Sequence, residues 1–482
     1  MITIIYGEYA VKILKINLIF MALGLSMVTT QTFSADWLML QGTERPNAKH
    51  RFWGFVQPAY TRDLSDNLSG LTGGFAVNNG LRTAKNSVAP WFDEDNEFHI
   101  RRARFGWRGR INKKINYFTF FEVAPNLLTF DPFGDRARYV ALDHMSLTFN
   151  HIKGARIRAG LFKTPGPEES FNAIHTLNYI EFTDFIAREQ LERFVTGAAR
   201  AAGSGSSPSM GTPTNNAYGF NGVRDWGVQV FDRFKGKKWN YSYAVMLGRG
   251  EGIHETSDSD GNFDLYLYAS TDYNLPGGKG PFKNGVKFYT WYQGGKREFE
   301  TDASGTEFDR KRYGFGVHAL GKLFGGKYKH RLGLEVLYAD GMLFLSPAGG
   351  VAEGNLGNGN LQFAAEDGNK SRGISLDYGF YLNRKWDLGV RYARHDLLYE
   401  RNANINPGNE RIFKELTLGV NYRFNRKTRL SLNYTFREID APNAYTATGG
   451  FNAAQASGTT SNVSRIVNST DDRIALQLTW VF

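Results

Sequence analysis

From residue 372 to Phe482 the chain alternates apolar and polar residues over segments of about ten residues, each followed by a turn or a polar loop. In the last segment one face holds Ile474, Leu476, Leu478, Trp480 and Phe482, and the other holds Ala475, Gln477, Thr479 and Val481. Strands of this length, with one apolar face and one small or polar face, suit a wall between lipid and water. The pattern predicts membrane-spanning β-hairpins, the last of which ends on an aromatic residue.

The bulk composition agrees with a barrel better than with several soluble domains. Aromatic residues make up 15% of the chain, and glycine is abundant at 54 residues while proline is scarce at 14. Aromatic girdles mark the two membrane interfaces of outer-membrane barrels, and tightly packed strands exclude proline from their interiors. Beyond the N-terminal region, no apolar run is long enough for a helical span.

The N-terminal region has the organisation of a secretory signal peptide. Lys12 and Lys15 precede an apolar core from Ile16 to Val28, and small or polar residues follow up to Ala35. We therefore expect a signal peptide over 1–35 and a barrel domain over 36–482. The chain has no cysteine, which excludes a disulfide framework and a lipidated N-terminal cysteine.

The period of two, read with the turn signals, predicts about sixteen strands, an even number as bacterial single-chain barrels require. The predicted fold class is thus an all-β, 16-stranded antiparallel transmembrane barrel. The strands are expected near 51–61, 98–111, 115–123, 139–150, 154–163, 224–234, 238–248, 262–273, 284–296, 309–321, 330–340, 372–383, 386–397, 411–424, 428–438 and 472–482.

Short and long connections alternate along the chain. The short ones, such as 112–114 and 425–427, are expected to face the periplasm, and the long polar ones to face outward. A soluble β-sandwich has no reason to separate its loops by length in this way, and it is the alternative fold that the alternation disfavours. The third long connection, 164–223, contains a stretch from Glu181 to Phe194 with helical character. It is expected to fold back into the lumen as a constriction, and a surface loop remains the alternative.

Arginine residues repeat on one face of the second and fifth strands. An arginine facing lipid near the midplane costs about 2 to 4 kcal/mol, so this face must line the lumen. A guanidinium keeps its charge at any working pH and binds anions through a planar fork of donors. The candidate pore-lining and anion-selecting residues are Arg102, Arg104, Arg108, Arg110, Arg156, Arg158 and Lys163.

Other readings of the lumen stay open at this point. Inward carboxylates such as Glu122 and Asp387 allow a structural salt-bridge network, which would leave a weakly selective pore. In a carbohydrate porin, the lumen aromatics Tyr289, Trp291 and Tyr381 would stack on passing sugars. In a surface-binding or adhesin barrel, the long loops would carry the function. No motif singles out a catalytic nucleophile, a cofactor or a metal site, and the net charge of +11 is spread without a basic tail or a groove-reading motif for nucleic acid.

Two stretches carry a family resemblance. His99–Gly109 and the run from Arg158 to Pro165, which enters the long loop, resemble the phosphate-selective porin O and P family. The strong local similarity lies within residues 98–200. The resemblance implies an outer-membrane trimer of 16-stranded barrels, with arginine ladders and an inward-folded third loop.

Together these observations predict a passive channel of the bacterial outer membrane that prefers small anions, phosphate among them, and is not an enzyme. The expected partners are outer-membrane lipid and lipopolysaccharide, small anions, two further copies of the chain, and the barrel-assembly machinery through the strand that ends in Phe482.

Overall fold

The computed structural model describes residues 37–40, 50–80, 96–126, 128–129, 140–196, 217–253, 261–277, 284–298, 307–323, 326–346, 362–364, 366–403, 405–447 and 452–482. The signal peptide expected over 1–35 lies outside these residues. No helix in these ranges is long and apolar enough to cross a membrane.

Sixteen antiparallel strands form a closed barrel in which each strand pairs with its neighbours in sequence, and the last strand pairs with the first. The predicted fold class is confirmed, and each predicted strand range overlaps an observed strand. The strands are β1 His50–Asp63, β2 Asn96–Arg110, β3 Ile115–Glu122, β4 Ala141–Phe149, β5 Arg156–Lys163, β6 Arg224–Lys235, β7 Trp239–Gly248, β8 Asp264–Asn274, β9 Gly285–Glu298, β10 Glu307–Gly321, β11 Lys329–Asp340, β12 Lys370–Tyr381, β13 Trp386–Glu400, β14 Arg411–Arg423, β15 Thr428–Asp440 and β16 Arg473–Val481.

Strands β1 and β16 close the ring. Their register runs from Phe55 opposite Val481 to Asp63 opposite Arg473. The backbone of Phe482 continues the pairing, since its N–H donates to the carbonyl of Gly54 at 3.0 Å. Closure leaves no free sheet edge, which a barrel in lipid requires because no water is present there to satisfy backbone groups.

The alternation of the sequence separates an apolar exterior from a polar interior. In β16, Leu476 and Trp480 are 37% and 49% exposed, whereas Gln477 and Thr479 are buried. Aromatic side chains cluster near the short turns, where Trp386 lies 4.7 Å from Tyr422 between ring centroids. This architecture confirms the predicted location in the bacterial outer membrane.

The smaller elements lie in the long connections. The helices are α1 Trp37–Leu40, α2 Glu168–Phe171, α3 Asp184–Glu189 and α4 Ala453–Asn468, with single 3₁₀ turns at Gly73–Asn78, Ile174–Thr176 and Pro407–Asn409. Two-stranded ribbons pair Arg193–Thr196 with Ala217–Asn221 and Leu343–Ser346 with Gln362–Ala364. The helical stretch expected over Glu181–Phe194 is shorter than predicted, because α3 ends at Glu189 and a strand begins at Arg193.

Candidate functional site: the lumen and its inner segment

Residues 164–192, here called the lumen segment, form the first part of the third long connection. Most of their side chains are buried, and they contact interior-facing residues from both halves of the barrel. His175 lies against Trp53 of β1, with ring centroids 5.6 Å apart. The hydroxyl of Tyr179 donates to Asp377 of β12 at 2.6 Å. Contacts with strands this far apart in the ring place the lumen segment across the interior.

Apolar packing also holds the segment against the wall. Phe171, Phe185 and Ile186 are buried in one cluster with interior residues of the wall, Tyr289 and Trp291 among them. Burying an aromatic or aliphatic side chain of this size contributes about 1.5 to 3 kcal/mol. The segment is therefore fixed by an apolar core that it shares with the wall, and it is unlike a solvated surface loop.

Every acidic side chain of the lumen segment pairs with a basic side chain. The wall supplies a basic partner to each one, and Asp184 also pairs with Arg188 of the segment at 3.0 Å. The pairs with the wall are Glu168 with Lys287, Glu169 with Arg391 at 2.7 Å, Glu181 with Arg101, Asp184 with His395 at 2.7 Å, Glu189 with Arg312 at 3.2 Å, and Glu192 with Arg224 at 3.0 Å. The basic wall thus has a structural role as a counter-charge for an acidic insert.

Burial shifts the pKa of several titrating groups of the segment, Glu169 and His175 among them. It raises the pKa of Glu169, although the Arg391 guanidinium and hydrogen bonds from Thr183 act in the opposite direction. Desolvation of His175, reinforced by the cations Arg429, Lys163 and Arg104, lowers its pKa to about 3. His175 is therefore neutral at ordinary pH.

Lys163 connects the end of β5 to the segment. Its buried ammonium donates to the backbone carbonyls of Ser170 and Asn172, each at 2.6 Å. It thereby holds the chain where the segment leaves α2.

A cavity of about 510 Å³ lies between the lumen segment and the wall formed by the first strands. Ala173–Thr176 of the segment line it on one side. Its basic lining residues are Arg51, Arg104, Arg108, Lys163, Arg224 and Lys427, and its acidic lining residue is Asp143. A smaller cavity of about 140 Å³ lies against β10–β13, where Glu169, Glu335 and Asp377 outnumber Arg331 and Arg391. Thr176 lines both cavities, so the segment stands between a basic space and a more acidic one.

Three of the seven predicted ladder residues line the larger cavity, and none lines the smaller one. Arg104, Arg108 and Lys163 line the larger cavity. Arg104 pairs with Glu122 and Asp143, both at 2.7 Å, and the Arg108 guanidinium lies 5.1 Å from the Phe118 ring centroid.

The other four candidates do not line that cavity. Arg102 donates to Gln57 at 3.1 Å, and Arg110 donates to the Lys113 carbonyl of a short turn at 2.6 Å. Arg156 lies 3.5 Å from Asp232, and the Arg158 guanidinium lies 4.4 Å from the ring centroid of Phe231. The structure brings three of the seven predicted residues into one space.

Two groups of lumen residues are not predicted by the sequence pattern. Arg101 turns inward because a β-bulge shifts the register between Gln57 and Pro58, leaving Arg101 as the extra residue of β2. Strict alternation along β2 predicts that Arg101 lies on the apolar face. The acids of the lumen segment were also missed as a set, and their signal was the run Glu168-Glu169 at the start of the loop. Within the described ranges, no group of three His, Asp or Glu side chains could hold a metal ion.

Comparisons with known proteins find similar solved structures and no similar sequence. No protein-family model matches the chain, and no curated protein sequence does. The outer membrane channel DcaP of Acinetobacter baumannii aligns with 91% of this chain and 99% of its own length, at 11% identity and a TM-score of 0.45. An anion-selective porin from Comamonas acidovorans aligns with 90% of this chain and all of its own, at 13% identity and a TM-score of 0.44. A loop-deletion mutant of OmpT from Vibrio cholerae covers 90% of this chain and 99% of its own, at 9% identity and a TM-score of 0.45.

Proposed function

We propose that the chain is an outer-membrane porin through which small solutes diffuse passively, with a preference for anions. Solutes pass through the larger cavity, and the lumen segment sets its narrowest cross-section. The observation that carries the proposal is the charge of this cavity, whose lining holds six basic residues and one acidic residue. Selectivity in a narrow pore follows the charge of the residues that line it.

The salt-bridge network does not cancel this charge. Of the six acids in the lumen segment, five pair with wall residues outside the lining of the larger cavity, and only Glu192 pairs with a lining residue, Arg224. Arg104 and Arg224 share Asp143, at 2.7 and 2.9 Å, and Arg104 also pairs with Glu122 at 2.7 Å. Three acids, Glu122, Asp143 and Glu192, thus stand against six bases. Most acids of the segment therefore form their ion pairs outside the larger cavity, and the lining of that cavity keeps more basic than acidic residues.

The carbohydrate alternative loses part of its basis. Tyr289 and Trp291 are 4% and 2% exposed, and they pack in the apolar cluster beneath the lumen segment. Rings in this position cannot present their faces to a passing sugar. Tyr381 lines the smaller cavity.

Reversal potentials in a KCl gradient across planar bilayers test the proposal. We expect anion preference for the native protein, and a shift towards zero for Arg108→Gln and for Lys163→Gln. Arg384→Gln is the matched control, because it removes the same charge from an exposed short turn. Cation preference in the native protein, or equal shifts in all three variants, would contradict the proposal.

The resemblance to the phosphate-selective family supports two finer proposals. One is that phosphate is among the transported anions, which competition of phosphate with chloride for the single-channel current tests. The other is that three copies assemble in outer-membrane lipid and lipopolysaccharide, after the assembly machinery has engaged the strand that ends in Phe482. Native mass spectrometry of the detergent-extracted protein measures the copy number.

A further inference from the structure

We propose that the larger cavity is a binding site for aromatic carboxylates, so that the channel favours aromatic organic anions over small inorganic or aliphatic ones. This inference rests on the proposed function and names the solute class that the same site recognises. It is carried by the juxtaposition of an aromatic wall, a cationic wall and buried hydrogen-bond donors around one space.

The aromatic wall is formed by β1, β3 and the lumen segment. Trp53 stacks on Phe120, with ring centroids 4.5 Å apart and an interplanar angle of 19°, and lies 6.1 Å from Phe118. Phe55 lies 5.2 Å from His175. All five side chains line the cavity. A strand that only separated water from lipid would have no need of this many rings on its wet face.

The cationic wall meets the aromatic wall at Arg108. Its guanidinium lies 5.1 Å from the centroid of the Phe118 ring, and both residues line the cavity. Arg104, Lys163 and Arg224 continue the cationic lining. A ligand here can contact a ring with one end and a cation with the other.

Two buried donors point to an acceptor that the chain itself does not supply. Trp53 Nε1 and Arg224 Nε are buried, and neither has a hydrogen-bond acceptor in the described part of the chain. A buried donor without a partner costs about 1 to 3 kcal/mol, and an acceptor group of a bound ligand would remove that cost. Among the described lining residues, the buried side-chain acceptor without a hydrogen bond is Asp143 Oδ1, and it already lies in ion pairs with Arg104 and Arg224.

The size and chemistry of the space select the solute. A volume of about 510 Å³ falls within the range of small-molecule sites, about 300 to 1,000 Å³. An aromatic carboxylate uses both walls: its ring packs on Trp53 and Phe120, and its carboxylate faces Lys163, Arg108 and the free donors. Chloride or acetate uses only the cations, and a neutral aromatic alcohol uses only the rings.

Calorimetric titration of the purified full chain in detergent measures binding directly. The probes are benzoate, acetate and benzyl alcohol. We expect benzoate to bind about tenfold more tightly than acetate, because ring contacts add to the electrostatic attraction, and more tightly than benzyl alcohol. Benzoate should also block the chloride current across planar bilayers at a correspondingly lower concentration than acetate.

Variants of the two walls separate their contributions. Phe120→Leu is expected to weaken benzoate binding about threefold to tenfold and to leave acetate unchanged. Trp53→Phe keeps the ring and removes the indole donor, so it should weaken benzoate and acetate alike. Tyr381→Leu, which changes a ring of the smaller cavity, is the control and should alter neither.

Each result decides the inference. Equal binding of benzoate and acetate, or equal losses in Phe120→Leu and Tyr381→Leu, would overturn it, while an anion-selective chloride current in the same preparation would leave the proposed function intact. Tight benzoate binding in a protein that carries no current would support the site and reject the pore. Benzoate preference abolished by Phe120→Leu alone supports the inference.

Discussion

At the residue scale, a few buried polar side chains determine how the lumen segment is held. Lys163 is the clearest case, because its ammonium contributes no ion pair to the segment and instead binds two backbone carbonyls. It fixes the path of the chain without depending on the identity of the loop side chains. Its effect on the segment can therefore be measured apart from its charge in the cavity.

We predict that Lys163→Met loosens the lumen segment. Methionine has a similar length but no donor, so the carbonyls of Ser170 and Asn172 lose a buried partner, at about 1 to 3 kcal/mol each. Trypsin should then cut at Arg188 faster than in the native protein. Lys153→Met, in an exposed short turn, is the control. Unchanged cleavage at Arg188 would show that the apolar cluster alone holds the segment.

His175 gives the structure a specific pH dependence. Its pKa of about 3 in the folded protein lies below the ordinary value near 6.5. A lowered histidine pKa contributes stability that is complete above pH of about 6.5 and is lost as pH falls towards 3, because only the unfolded chain gains the proton. His175→Phe should flatten the fall of the thermal unfolding midpoint between those values. His151→Phe, exposed in a short turn, should not.

The same scale shows where sequence reasoning reached its limit. The arginine positions were visible as an alternating ladder, and the exterior parity of β16 was correct residue by residue. The inward turn of Arg101 was not visible, because a bulge depends on the partner strand rather than on β2 itself. Which arginines share a cavity was equally hidden, since this depends on where a distant loop packs.

At the element scale, the charged groups of the lumen segment are complementary to those of the barrel wall. In its first helix, α2, the carboxylate of Glu168 pairs with Lys287 and accepts a hydrogen bond from the hydroxyl of Tyr268 at 2.8 Å. The backbone N–H of Glu168 donates to the carboxylate of Glu335 at 2.9 Å. These groups come from α2, β8, β9 and β11. The carboxylate of Glu168 thus connects the start of the segment to two strands, and its backbone N–H connects it to a third.

We predict that Glu168→Gln lowers the free energy of unfolding by about 3 kcal/mol. Breaking a fully buried ion pair leaves the Lys287 ammonium without the Glu168 carboxylate, and such losses are typically 3 to 5 kcal/mol. Urea unfolding monitored by tryptophan fluorescence measures the change. The double variant Glu168→Gln with Lys287→Met should recover part of the loss, because it removes the stranded charge. A double variant less stable than Glu168→Gln would contradict this account.

The positions of the strands were predictable from the sequence, whereas the positions of the elements within the long connections were not. All sixteen strands follow from a local rhythm that each strand carries in its own residues. Helix α4 was not predicted: its capping box at Asn452 and Gln455 was present in the sequence, but its weak apolar face gave no periodic signal. It packs Val463 and Ile466 against Leu68 and Leu71 of the first long connection, a contact between opposite ends of the chain.

At the scale of the whole molecule, the lumen segment separates two electrostatic environments inside the barrel. The chain carries a net charge of +11, and the structure places part of that excess in one cavity beside the lumen segment. Long-range attraction of anions to such a cavity depends on ionic strength, because mobile ions screen it.

We predict that anion preference falls as salt rises. Between 0.1 M and 1 M KCl the screening length drops from about 10 Å to about 3 Å, so the lining charges act on solutes only at close range. The anion-to-cation permeability ratio from reversal potentials should approach unity at the higher concentration. The double variant Arg108→Gln with Lys163→Gln should show a smaller change. A ratio independent of salt in the native protein would assign selectivity to size rather than to charge.

Every acid in the lumen segment pairs with a base on the wall. The length of the segment therefore affects both the width of the lumen and the net charge of its wall. A shorter segment would open a broader passage, yet it would also strip Lys287, Arg312 and Arg391 of their counter-ions and leave the passage far more positive. A deletion in the segment would therefore change both the width of the lumen and the charge of its wall, unless substitutions on several strands accompanied it.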